Sequence, residues 1–145
     1  MYKHILIATD GSELADKALE QGLSLAKALS ARVTIVTVTE PWATQITGEA
    51  AIAFPIEMYD KSVAANAAGI LAKASAVATK SGVPFDTLHV KERYPAEGIL
   101  DAAKSKGCDA VVMASHGRRG LSRLLLGSQA DNVVKHSSIP VIICR

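Results

Sequence analysis

Short β-branched apolar runs alternate along this chain with Ala/Leu-rich stretches at helical spacing, the pattern of a parallel sheet covered on both faces by helices. The first run, Ile5-Leu6-Ile7-Ala8-Thr9, lacks apolar–polar alternation, as a strand buried on both faces requires, and it ends at Asp10-Gly11-Ser12. From Glu13 to Ser30, Ala15, Ala18, Leu19, Gly22, Ala26 and Leu29 recur at steps of three and four and predict a first helix. Val33 to Thr39 predicts a second strand. Glu40 to Pro55 is broken by Pro41, Gly48 and Pro55, has no sustained period and reads as a long loop or lid. Helical spacing returns with Val63, Ala67, Ile70, Leu71, Ala74 and Ala78 and stops at Gly82-Val83-Pro84. Phe85 to Val90 predicts a third strand. Pro95 suits a first helical turn, and Ile99, Leu100 and Ala103 make a short third helix ended by Gly107. Asp109 to Ala114 is the expected fourth strand and passes directly into Ser115-His116-Gly117. After Leu121 to Leu126, Gly127-Ser128 precedes a short helical segment with Ala130, Val133 and Val134, and Ile139 to Cys144 closes the chain as a fifth strand.

Five strands and four helices in strict alternation predict an α/β fold: a single doubly wound five-stranded parallel sheet with helices on both faces, one domain over residues 1–145. Ligands of such sheets sit outside the carboxyl ends of the strands, where the strand order reverses. The residues to weigh are therefore those just after strands one, two and four.

Composition narrows the function. Sixteen Lys+Arg against 14 Asp+Glu leave a net charge of +2 with the signs interspersed, and six aromatic residues offer no row of stacking platforms. A dedicated nucleic-acid binder is not expected. Cys108 and Cys144 stand 36 positions apart with no CxxC or Cys/His ladder, so neither a structural zinc nor a disulfide framework is indicated. A reducing cytoplasm fits, with no signal-peptide core at the start and no apolar stretch of membrane-spanning length.

The chemistry concentrates after the fourth strand, where Gly117, Gly120 and Gly127 surround Arg118, Arg119 and Arg123, and Ser128 opens a helix. Glycines let backbone N–H groups turn toward an anion, and a helix N-terminus adds unpaired donors and about half a positive charge. The competing reading is a tight turn with solvated arginines and Ser128 as a helix cap above Asp131. Neither GxxxxGK[ST] nor GxGxxG is present.

The segment Met113-Ala114-Ser115-His116-Gly117, nine residues, then Gly127-Ser128 resembles the nucleotide loop of the universal stress proteins, G-x2-G-x9-G-[ST]. Ala8-Thr9-Asp10-Gly11-Ser12 is similar to that family's opening, and the order of elements agrees over essentially the whole chain. One residue departs: Ala114 stands where the pattern has its first glycine, and its methyl excludes a φ > 0 backbone and narrows the approach to a ribose or phosphate.

The resemblance implies a Rossmann-like fold that binds an adenine nucleotide, ATP or else AMP or ADP, with or without Mg2+. Ala8, Thr9 and Asp10 would be nucleotide-binding, with Asp10 by the ribose and the phosphate–metal end and reaching Mg2+; the alternative for Asp10 is a helix cap in a D-x-x-E box with Glu13. Val38 would meet adenine through main-chain atoms, and Met113 and Ala114 would line the base and sugar. Gly117, Gly127, Ser128 and with them Gln129 would hold phosphates, next to Arg118 and Arg119. His116 is expected to make a local hydrogen bond or cover the nucleotide rather than act in catalysis. The resemblance also implies a homodimer paired through Val141, Ile142, Ile143 and Cys144, which would cover an apolar edge strand.

The expected function is thus a nucleotide-binding stress-response regulator that signals to a protein partner whose identity stays open. A slow ATP hydrolase or phosphotransferase is the enzymatic alternative. It is weakened because no carboxylate or lysine stands out to position water, and the SGGxDS and HxGH signatures of related ATP-using enzymes are absent. A module that binds partners without any nucleotide is the third, favoured by Ala114. The 40–55 segment, with Trp42, Ile46, Ile52 and Phe54, is expected to pack on its own domain, with nucleotide or partner covering as alternatives.

Overall fold

The computed structural model describes residues 1–42, 48–49, 55–117 and 126–145. Five strands, β1 (His4–Ala8), β2 (Arg32–Thr39), β3 (Phe85–Lys91), β4 (Ala110–Ala114) and β5 (Val141–Cys144), alternate with α1 (Glu13–Leu29), α2 (Ile56–Ser81), α3 (Pro95–Lys106) and α4 (Ser128–His136). All neighbouring strands are parallel, in the order β3-β2-β1-β4-β5. The chain therefore winds outward from β1 in one direction to β3 and, after crossing back, through β4 to β5. The reversal lies between β1 and β4.

Two apolar clusters fill the two faces of the sheet, and the strands divide between them residue by residue. Ile5, Ile7, Val33, Ile35 and Val112 face α1 and α2. Leu6, Ala8, Val36, Val111 and Met113 face α3 and α4. Side chains two apart share a face, so a continuous apolar run is what a strand sandwiched between helix layers needs. Ile5, Leu6 and Ile7 are completely buried.

Small residues bring the helices close. A Cβ on Gly98 of α3 would fall 2.6 Å from Val38 Cγ1, so glycine there lets the start of α3 press against the end of β2. Among the described residues no helix is long and apolar enough to cross a membrane.

Three local expectations need correction. The cap of α1 is Ser12, whose Oγ accepts from Ala15 N at 3.2 Å, and Asp10 instead accepts from Ser12 N at 2.9 Å in a tight turn before the helix. The cap position of α4 is Gly127, without a side-chain cap bond, and Ser128 is already inside the helix. The second helix begins at Ile56 rather than near Val63, because its first turns are mostly exposed and carry no apolar stripe to read. Ile46, Ile52, Phe54, Gly120 and Leu121 to Leu125 lie outside the described residues.

Candidate functional site

The carboxyl ends of β1, β2 and β4 open into a cavity of about 660 Å³ beside the strand-order reversal. This is a size usual for small-molecule sites. Its inner wall is apolar: Val36 and Val38 come from β2, Met113 from β4, Ile99 from α3 and Ala130 from α4. α2 forms the opposite wall with Tyr59, Val63 and Asn66. The N-termini of α1, α3 and α4 all follow strands at this edge, so their unpaired N–H groups and positive dipole ends lie at the same end of the molecule.

Two glycines set the shape of the polar end. A Cβ on Gly117 would stand 2.7 Å from Asp10 Oδ2, and one on Gly127 would stand 2.9 Å from the Ser115 carbonyl oxygen and 3.2 Å from His116 Cα. Gly127 N donates to that same Ser115 oxygen at 2.7 Å, which ties the residue before α4 to the end of β4. Ser115 N in turn donates to Cys144 O at 2.8 Å, continuing the sheet past the last paired residues. On the β1 side Thr9 N donates to Val36 O, and Gly11 takes φ +77°, a left-handed conformation that only glycine adopts without strain. Asp10 is thereby turned across the mouth of β1 toward Gly117.

Ala8, Thr9, Asp10, Val38, Met113, Ala114, His116, Gly117, Gly127, Ser128 and Gln129 all line this cavity. Arg118, Arg119 and Arg123 lie outside the described residues. Ala114 takes the extended backbone of β4 in register with Cys144, so this position makes no use of a φ > 0 conformation. What the methyl retains is its volume at the cavity wall.

His116 is held through Nδ1 by Ser115 Oγ at 3.1 Å, and its Nε2 is buried without a hydrogen-bond partner among the described residues. Gln129 uses its Oε1 to accept from Ala96 N, at 3.2 Å, in the first turn of α3. Among the described lining residues the charged side chains are the carboxylates Asp10 and Glu40. No cluster of three or more metal-binding side chains occurs among the described residues.

Sequence reasoning missed the wall contributed by α2. Tyr59 donates from its hydroxyl to the Glu40 carbonyl oxygen at 2.8 Å, pinning the first turns of α2 to the end of β2. Burial, helped by the carboxylates of Glu40 and Asp60, raises the Tyr59 pKa and keeps the hydroxyl a donor. The only sequence signal was an aromatic residue just ahead of the helical stripe that begins at Val63. Asn66 carried no signal at all, since its place over the cavity depends on how α2 crosses the sheet.

The family model of the universal stress proteins matches residues 1–145. The chain belongs to the universal stress protein family. This universal stress protein is 32% identical over 149 residues to the universal stress protein YxiE of Bacillus subtilis, with both chains covered completely. Its fold superposes on the solved structure of the Methanocaldococcus jannaschii protein MJ0577 with a TM-score of 0.82 at 28% identity, covering 99% of this chain and 96% of that one. Two more distant universal stress proteins, which share the fold, were solved with nucleotides. One is a complex with cAMP (TM-score 0.71, 22% identity, 99% and 97% covered), the other the Archaeoglobus fulgidus protein with dAMP (0.73, 20%, 99% and 98%).

Proposed function

We propose that this universal stress protein binds an adenine nucleotide, ATP before AMP or ADP, in the cavity at the carboxyl edge of the sheet, and acts in the cytoplasm as a homodimeric stress-response regulator. The observation that carries the reading is the steric one at Gly117 and Gly127. At both positions a single methyl group would collide with Asp10 or with the backbone of the β4 end, so the chain keeps glycine where a ligand's phosphates would approach the main chain. The apolar half of the cavity suits a purine, and the helix N-termini suit its anionic end. The nucleotides bound by the two distant relatives are of the same chemical class.

Mg2+ fits this site only in the manner usual for that ion, shared between phosphate oxygens, waters and one carboxylate. Asp10 would be that carboxylate. Calorimetric titration of the purified protein with ATP and AMP tests the reading; no binding of either at millimolar nucleotide would sink it.

Slow hydrolysis is the second reading, and it rests on the same Asp10. In-line attack on a phosphate needs a positioned water as well as charge stabilisation. Asp10 accepts from Ser12 N through Oδ1 and has its Oδ2 beside Gly117. Turnover near 1 s⁻¹, the low end of ordinary enzymes, abolished by Asp10→Ala would revive the enzymatic reading.

A further inference from the structure

α2 is longer than the strand it runs beside. Its 26 residues span about 39 Å, against about 26 Å for the 8 residues of β2. The surplus lies at its start. Farther along, Leu71, Ala74, Val77 and Ala78 pack into the apolar cluster on that face of the sheet, and Lys73 ties the helix to Asp16 of α1 at 3.0 Å. None of residues 56–66 is buried, and only Tyr59, Val63 and Ala64 among them are half-buried.

Tyr59, Val63 and Asn66 stand four and three apart, on one face of the helix, and all three line the cavity. This stretch of α2 is therefore a cavity wall with little apolar packing to hold it, and a segment of that kind opens at low cost. Among the described residues it has one hydrogen bond to another element, from the Tyr59 hydroxyl to the Glu40 carbonyl oxygen at 2.8 Å. The acceptor is main chain, so the tie depends on a single side-chain oxygen.

We propose that Tyr59 is a positioning residue whose hydroxyl latches the first half of α2 to the end of β2 and so keeps one wall of the nucleotide cavity formed before a ligand arrives. The proposal rests on the adenine-nucleotide reading above. A ligand that must first order the wall binds more weakly, in proportion to the fraction of molecules in which the wall already stands.

Tyr59→Phe removes the latch and leaves the ring. Amide hydrogen exchange of native and variant protein without ligand, and titration of both with adenosine and with AMP, read the latch and its effect. The expected result is exchange roughly two- to tenfold faster over residues 60–66, the worth of one neutral hydrogen bond, with residues 70–80 unchanged. Affinity for adenosine and for AMP is expected to fall together by a similar factor. Unchanged exchange over 60–66 overturns the proposal even where binding weakens, since that pattern is direct contact between the hydroxyl and the ligand. Equally faster exchange over 70–80 overturns it as general destabilisation, and so does faster local exchange with affinity unchanged. A native protein that binds neither ligand fails the nucleotide reading itself, while exchange without ligand still decides whether the latch exists.

Discussion

Gly117 and Gly127 occupy matching places in the loop pattern, yet their neighbours differ in what they can yield. The Cβ of Gly117→Ala would meet a carboxylate at the end of a side chain, and Asp10 can swing away. That variant is expected to unfold within about 0.5 kcal/mol of the native protein, as most substitutions free of a backbone or core clash do, while losing nucleotide binding. The Cβ of Gly127→Ala would meet the Ser115 carbonyl and the His116 backbone, which the 2.7 Å bond from Gly127 N holds in place. It is expected to cost about 1–3 kcal/mol of stability as well as binding, and denaturant unfolding of the two variants side by side checks the contrast. Ala114 belongs to the same scale. Because it takes ordinary strand backbone, Ala114→Gly is expected to change nucleotide affinity by less than about threefold while costing on the order of 1 kcal/mol through strand flexibility. Binding that appears only in the variant would instead favour the nucleotide-free reading.

Between elements, a polar chain crosses the amino end of the sheet, opposite the cavity. Thr34 of β2 donates its one hydroxyl proton to Asp86 of β3, so His4 of β1, 2.8 Å away through Nε2, must itself donate to Thr34. Lys106 at the end of α3 closes the chain on Asp86 Oδ2 at 2.9 Å. Burial, and after it Arg32, lowers the His4 pKa below 6.5, outweighing the nearby Asp86 and Asp109. Burial alone would raise Asp86, but the hydrogen bonds from Thr34 and Lys106 hold it below the ordinary carboxylate value. The signs agree. An unfolded His4 takes up its proton near pH 6.5 while the folded one resists, so stability falls as pH drops from 6.5 toward the folded pKa, and Asp86 adds a further loss at lower pH. His89, lowered by burial and Lys91, acts in the same direction. Denaturant unfolding at pH 7.5 and 5.5 is expected to show lower stability at the acid value and a shallower dependence in His4→Gln. A flat native profile would contradict it. No part of this chain of contacts was legible beforehand, since His4, Thr34, Asp86 and Lys106 share no spacing and meet only because the fold sets Thr34 beside Asp86 in register, with the start of β1 and the end of α3 at the same end of the sheet.

For the whole molecule, the outer side of β5 is the edge to be covered. Val141, Ile142 and Ile143 are half-buried, and among the described residues β4 is the one strand beside them in the sheet. Sedimentation of the native protein is expected to give the mass of two chains, and a monomer at micromolar concentration would contradict pairing through this strand. The sequence by itself determined the order of elements and the class of fold, because burying a strand on both faces demands an unbroken apolar run and covering it demands a helical stripe. It also singled out Asp10, Gly117 and Gly127, which the fold gathers at one cavity and where the two glycines have no room for a Cβ. Only the tertiary structure decided which helix walls the cavity, that Ser12 and not Asp10 caps α1, and that Gln129 spends its carbonyl on α3. Those outcomes depend on contacts between residues far apart in the chain, where a polar side chain's role is chosen by the partner that the fold brings within reach.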